Sequence, residues 1–107
     1  MTVRASFQPQ YGKGITGTAT TTSASETLDG STTQSGGGKK SVVVSNYDAT
    51  NILYVKIGKG TQVATSADYP IFPGSKETLS KAETDDTIGT LAAAATVAWH
   101  AIPGEGQ

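Results

Sequence analysis

The chain has 107 residues, of which 36% are hydrophobic, and a formal net charge of −1 from eight Lys and Arg against nine Asp and Glu. This length corresponds to one domain with a thin core, and the lack of a basic field argues against a nucleic-acid partner. The absence of cysteine excludes disulfides, thiolate catalysis and cysteine-based zinc sites.

The composition favours β-structure and a protein without membrane partners. The chain contains 17 threonines and 13 glycines; threonine fits a half-buried pleated surface and glycine supplies turns. No apolar run approaches the roughly 20 residues of a membrane span. The N-terminus has no signal-peptide pattern, so we expect the chain to fold in a cytoplasm.

Residues 1–16 differ from the rest because their large apolar side chains are few and widely spaced. This segment is predicted to be an extended or flexible N-terminal arm, which is either disordered or ordered by a partner through Phe7 and Tyr11. Residues 17–107 are predicted to form the β-sandwich domain. Its first strand is expected in the threonine run from Gly17 to Leu28, before a flexible loop, "DGSTTQSGGG".

Residues 41–58 give the clearest strand signal. In "SVVVSN", Val42 and Val44 lie on one face, and in "ILYVKIG" Leu53 and Val55 lie on one face. The polar link "YDATN" separates the two runs. Together they predict a β-hairpin.

The next segment contains Pro70 and Pro73 on either side of Ile71 and Phe72. Because proline cannot donate a ladder hydrogen bond, this stretch is predicted to be an edge strand or a connecting loop. A short strand, "KETLS", and a polar turn, "KAETDDT", follow.

The last segment, "TIGTLAAAATVAWHAI", is compatible with a helix or with two strands. Four alanines favour a helix, whereas the β-branched residues and the alternation of Val97, Trp99 and Ala101 favour strands at about 87–92 and 96–102. We prefer a hairpin with a tight alanine turn, in which Trp99 is buried, His100 faces outward, and "PGEGQ" leaves at a turn. The sum is an all-β fold, a small β-sandwich or jelly roll of about six to eight short strands.

The residues do not assemble a recognisable catalytic set. His100 is the only histidine and lies on a terminal strand, and no G-x-S-x-G motif is present. The acids Glu83, Asp85 and Asp86 lack the spacing of a calcium loop and indicate a solvated turn. "GGGKKS" lacks the first glycine of a phosphate-binding loop, since position 33 is Thr. We therefore expect a protein that is not an enzyme and has no catalytic residues, cofactor or metal.

An exposed aromatic strip is the main alternative to a purely structural surface. Tyr54, Tyr69 and Phe72 are the side chains from which such a strip would form, with Trp99 as a further aromatic. Aromatic rings of this kind stack on sugars. This reading predicts a small carbohydrate-binding module.

Four stretches taken together resemble a known family: "VVVSN" running into "ILYVKIG", then "VATSADYPIFPGSKETL", then "DTIGTLAAAATVAWHAIPGEGQ". This looks like the small β-sandwich virion proteins of tailed bacteriophages, over about residues 41–107. An alanine run replaces the glycine-containing turn that the family pattern leads us to expect. The matching positions are Asn46, Lys56, Gly58, Ala64, Thr65, Pro70, Pro73–Ser75 and Pro103–Gln107.

The resemblance implies a structural component of the virion, most simply a capsid decoration or cement protein that reinforces the head shell. A head-fibre, neck or tail-associated subunit is the alternative within the same class. The implied partner is the major capsid protein or another virion protein, the chain itself is expected to be a dimer or trimer, and the implied location is the virion, assembled in the host bacterial cytoplasm. The candidate partner-contact residues are Phe7, Tyr11, Ile15, Pro70, Phe72, Glu105 and Gln107.

Overall fold

The computed structural model describes residues 8–9, 11–28, 41–82 and 85–105. In these ranges nine β-strands form two antiparallel sheets and there is no helix, so the predicted all-β sandwich is confirmed. It follows that the described residues include no helix with the length and hydrophobicity of a membrane span. The strands are β1 (Gln8–Pro9), β2 (Ile15–Ala19), β3 (Ala24–Thr27), β4 (Ser41–Asn46), β5 (Leu53–Gly58), β6 (Tyr69–Ile71), β7 (Lys76–Ser80), β8 (Thr87–Ala92) and β9 (Val97–Glu105).

The two sheets divide the strands five to four. In sheet A, β9 pairs with β1 and β2 on one side and with β4 on the other, and β7 lies beyond β4. Sheet B has the order β3-β8-β5-β6. The strand "KETLS" and the edge position of the proline segment are thus confirmed, as β7 and β6.

The core lies between the sheets and follows the alternation predicted for each strand. Val42 and Val44 of β4 and Leu53 and Val55 of β5 are buried, and Trp99 of β9 is the largest fully buried side chain. Successive side chains of each strand alternate between the core and the outer face, so one face of the strand is buried. The other buried apolar residues of this cluster are Ala19, Leu28, Ile71, Ile88, Ala92, Val97 and Ala101.

Both predicted hairpins are wrong, because the chain crosses between the sheets at most connections. β4 pairs with β7 and β9, whereas β5 pairs with β6 and β8. β8 lies in sheet B and β9 in sheet A. Among the described strands, β5 and β6 are the only consecutive pair joined by ladder hydrogen bonds.

Asn46 explains why the link after β4 crosses to the other sheet. Its Nδ2 donates to the carbonyl oxygens of Asn51 and Ile71, both at 2.9 Å, and its Oδ1 accepts the N–H of Asp48 at 2.8 Å. Ile71 belongs to sheet B, so one side chain at the end of a sheet A strand joins both sheets. This local network directs the chain across the sandwich instead of back along β4.

The alanine turn makes the crossing from β8 to β9. The N–H of Ala93 donates to the carbonyl of Ile52 at 3.0 Å, and Ala95 takes a left-handed φ of 54°. Glycine adopts this conformation without strain, and in this turn an alanine adopts it. The inward side chains of β8 and β9 then face each other across the core instead of pairing edge to edge.

β9 continues through the segment that was predicted to leave at a turn. Pro103 pairs with Val42 and Gly104 with Ser41 of β4. On its other side β9 pairs with β2 up to Ala101 and with β1 from Gly104. Pro103 therefore lies in the gap between β1 and β2, where a missing N–H costs the ladder little.

The threonine run forms two strands instead of the single predicted one. The Thr20 hydroxyl donates to the Thr22 carbonyl at 3.1 Å, and the Thr22 N–H donates to the Thr20 hydroxyl oxygen at 3.2 Å. Such local bonds compete with a ladder, so β2 ends and β3 begins in the other sheet.

Part of the predicted arm belongs to sheet A. Residues 8–9 and 15–16 pair with β9, while residues 1–7 and the predicted loop at 29–38 lie outside the described residues.

Candidate interaction surface

The outer face of sheet B carries a row of apolar side chains across three strands. Tyr54 of β5 stands directly opposite Pro70 of β6 on one side and Leu91 of β8 on the other. All three are half-buried, and they lie on the outer face because the next residue along each strand is buried in the core. Phe72 follows β6 directly and is 57% exposed. We call Tyr54, Pro70, Leu91 and Phe72 the Tyr54 patch.

The neighbouring part of this face is covered by the connection between β5 and β6. A Cβ added to Gly89 would lie 2.9 Å from the Gln62 backbone oxygen, and one added to Gly58 would lie 2.6 Å from Gln62 Nε2. The Gln62 N–H also donates to the Ser25 hydroxyl at 3.2 Å. Glycine at position 89 thus permits residue 62 to rest directly on the sheet, and the Tyr54 patch is the part left open.

The three aromatics of the alternative sugar-binding strip do not share one face. Tyr69 stands opposite Val55, whose side chain is buried in the core, whereas Tyr54 stands opposite Pro70 on the outer face. Tyr69 is 47% exposed because it lies on an edge strand. Trp99 is 1% exposed and buried in the core, where a ligand cannot reach it.

His100 lies on the outer face of sheet A, as the alternation of β9 predicts. Its ring stacks on Tyr47 with centroids 6.4 Å apart and an interplanar angle of 23°. Gly14 lies so close that an added Cβ would be 2.5 Å from His100 Nε2. The histidine is therefore packed between an aromatic ring and a glycine backbone.

A hydroxyl-lined depression of about 350 Å³ opens beside β3. Asp86 supplies its carboxylate, which accepts the Gly60 N–H at 3.1 Å and the Thr87 hydroxyl at 2.9 Å. These bonds, the one from Gly60 first, hold the pKa of Asp86 below its usual value. The carboxylate thus closes the loop after β5 onto the start of β8. The remaining lining residues are Ser25, Thr27 and Thr61.

Stability is expected to fall in acid because of this carboxylate. The pKa of Asp86 is lower in the folded chain than in the unfolded chain, so the charged carboxylate stabilises the fold at neutral pH. This stabilisation is lost below about pH 4, as the pH falls through the pKa of the folded chain. Asp86→Ala should lower the melting temperature at pH 7 and have little effect at pH 2. Asp86→Asn keeps an acceptor oxygen and is the matched control. Equal destabilisation by Asp86→Ala at both pH values, measured by circular dichroism, would contradict this role.

The acids of the predicted polar turn have separate structural partners. Asp85 accepts the N–H of Ala82 at 3.0 Å, whereas Asp86 bonds Gly60 and Thr87. Glu83 lies outside the described residues. Within the described ranges no three His, Asp or Glu side chains come together as a metal site.

The candidate contact residues lie in different environments. Tyr11 is 85% exposed, whereas Ile15 packs against the core. Pro70 and Phe72 belong to the Tyr54 patch, and Glu105 is a half-buried residue at the end of β9. Phe7 and Gln107 have no described side chain.

Sequence reasoning missed Leu91 as a surface residue and Gln62 as a covering one. The alternation of β8 could have placed Leu91 outward, opposite Tyr54. For Gln62 no comparable signal exists, because its position depends on a contact with Gly89, distant in the chain.

Comparison with known proteins finds no matching family model, no matching curated protein and no matching solved structure.

Proposed function

We propose that this protein is a non-enzymatic structural protein of a phage virion, a capsid decoration protein that binds and stabilises the head shell. The observation that carries the proposal is the Tyr54 patch, an apolar row that crosses three strands on the outer face of sheet B. Exposed apolar patches rimmed by polar residues are typical of protein–protein contact sites. The patch is the docking surface in this proposal, and a subunit of the shell is its partner.

The residues that carry the family resemblance support the proposal through their structural roles. Asn46 joins the two sheets, and its backbone N–H and carbonyl bond Ser75 and Gly74 of the "PGS" turn at 2.9 and 3.1 Å. The N–H of Ala64 donates to the Ser23 hydroxyl at 2.9 Å, and Thr65 closes a turn with Asp68 at 2.7 Å. The shared residues thus build the connections of the sandwich, which is the feature that the resemblance concerns.

The chemistry of the patch suits a repetitive partner. Phe72 is the exposed aromatic anchor, and aromatic side chains carry much of the energy at protein interfaces. A shell presents many identical binding sites. If the decorating subunits also contact one another, the overall binding becomes tighter than a single small apolar contact would allow.

The proposal predicts that Phe72→Ser abolishes most binding to the shell. Heads assembled from the major capsid protein of the same genome, without this chain, are mixed with the protein and sedimented. We expect the variant to bind at least tenfold more weakly, since it removes the most exposed ring of the patch. Tyr47→Ser is the matched control, because Tyr47 is a similarly exposed aromatic, 62%, on the sheet A side.

Two results would contradict the proposal. One is absence of the wild-type protein from the sedimented heads and from purified virions. The other is equal loss of binding in the Phe72 and Tyr47 variants. Binding to isolated necks or tails instead of heads would favour the alternative virion location, and quenching of tyrosine fluorescence by a sugar would favour the carbohydrate-binding module.

A further inference from the structure

The edge strand β2 differs from every other described edge strand in having no charge and no proline. Exposed strand edges are templates for pairing with another chain, and proteins protect them with charged residues or proline. β1 contains Pro9, β3 contains Glu26, β6 contains Pro70, and β7 contains Lys76. β2, with the sequence ITGTA, contains neither.

The outer edge of β2 is available within the described structure. β2 pairs with β9 from Ile15 to Ala19, and no other described strand pairs with it. Thr16 and Thr18 are exposed on the outer face, while Ile15 and Ala19 point toward the core. Among the described residues, the strand therefore presents one row of unpaired backbone groups beside small, uncharged side chains.

The sequence of β2 is nearly symmetric about Gly17. In an antiparallel pair of two copies with a twofold axis at Gly17, Thr16 stands opposite Thr18 of the second copy, and Ile15 stands opposite Ala19. Threonine pairs directly opposite each other stabilise antiparallel strands, and no like charges meet. One step further out on each side, Gly14 stands opposite Thr20, so the flanks present no bulky side chains to each other.

We propose that two copies of the chain pair through β2, joining their A sheets into one continuous sheet across a twofold axis at Gly17. Addition of a strand to an open edge supplies main-chain hydrogen bonds for affinity and side-chain register for specificity. A twofold contact uses the same patch on both subunits, which the near-symmetry of the strand allows. The pairing needs no capsid and does not rest on the function proposed above.

A pair of lysines tests the surface. In Thr16→Lys/Thr18→Lys, each new lysine would stand opposite a lysine of the second copy, which destabilises a strand pair. The control is Thr78→Lys/Ser80→Lys, which adds the same charge to exposed positions of β7, the other edge of sheet A. Sedimentation equilibrium of the full chain should show a wild-type monomer–dimer equilibrium that the β2 variant weakens at least tenfold and the β7 variant leaves within twofold.

Cross-linking tests the register, and the natural chain has no cysteine to interfere. An equimolar mixture of Thr16→Cys and Thr18→Cys chains should form a disulfide-linked heterodimer under mild oxidation, because directly opposite Cβ atoms are about 4.5–5.5 Å apart. Each variant alone should link far less, since residue 16 then faces another residue 16 only diagonally. A wild-type chain that stays monomeric, a dimer insensitive to the β2 lysines, or equal linking in the unmixed variants would overturn the proposal.

Discussion

Asn46→Ala is expected to lower the free energy of unfolding by about 3–4 kcal/mol, because it leaves one buried and two half-buried backbone groups without a hydrogen bond. Asn46 is 1% exposed. Its amide is the donor for the carbonyls of Asn51 and Ile71, and its carbonyl is the acceptor for the N–H of Asp48. Alanine removes all three bonds, including the buried one to Ile71.

Asn51→Ala is the matched control for this change. It removes the same side chain five residues away, but the backbone carbonyl of Asn51 that Asn46 uses remains. Urea unfolding should give a loss for Asn51→Ala of no more than about 1 kcal/mol. Equal losses for the two variants would show that Asn46 is not the residue that joins the sheets.

Asn46→Asp sharpens the test because it changes one group only. The carboxylate keeps the acceptor for Asp48 but turns the donor into a second acceptor, facing the carbonyls of Asn51 and Ile71. Since charge buried against carbonyl oxygens is costly, the aspartate variant should be no more stable than the alanine variant at pH 7. Its stability should improve as the pH is lowered toward 4, where protonation restores a donor.

The inward and outward faces of the strands could be predicted from the sequence, because they depend on a local period of two. Val42, Val44, Leu53 and Val55 are buried as the alternation indicates. Trp99 is buried for the same reason. The all-β class followed from composition and from strand-sized segments, and needed no long-range information.

The pairing of the strands could not be predicted in the same way. A short polar link such as "YDATN" is compatible with a hairpin and with a crossing to the other sheet. The choice depends on Asn46 reaching Ile71, which is 25 residues away in the chain. The same holds for the alanine turn, where the contact between Ala93 and Ile52 decides the direction of the chain.

The candidate surface could be predicted from the sequence only in part, because it too depends on how the strands pair. The exposed aromatics were visible in the sequence, but their grouping depends on strand register. Tyr54 and Tyr69 were expected together, yet β5 and β6 pair so that Tyr54 faces outward opposite Pro70 and Tyr69 faces the core side opposite Val55. A register that brings Pro70, Tyr54 and Leu91 into one row is set by the whole sheet.

Gly17→Ala is expected to destabilise the fold by about 2–3 kcal/mol, because the new methyl group would overlap the ring of Trp99. An added Cβ would lie 2.6 Å from Cζ2 and 2.8 Å from Cε2 of that indole. Gly17 stands directly opposite Trp99 in the ladder between β2 and β9. The glycine therefore gives the largest core side chain room to lie across the neighbouring strand.

The neighbouring residue of the same strand provides the control. Thr18→Ala also places an alanine in β2, but Thr18 is on the exposed outer face and should change stability by no more than about 0.5 kcal/mol. Thermal unfolding at a protein concentration low enough to avoid self-association should therefore show a fall in Tm on the order of 10 °C for Gly17→Ala and little change for Thr18→Ala.

A double-mutant cycle with Trp99→Phe identifies the cause of the loss. Trp99 Nε1 is buried without a hydrogen-bond acceptor among the described residues. Trp99→Phe therefore removes no hydrogen bond of the indole and changes only the size and shape of the ring. The smaller ring also leaves space for a methyl group at position 17. If the overlap is the cause, Gly17→Ala costs at least about 1 kcal/mol less in the Trp99→Phe background than in the wild type. If Gly17→Ala destabilises the Trp99→Phe variant as much as the wild type, the loss arises from the backbone of β2. The overlap with the Trp99 ring would then not be the reason for glycine at position 17.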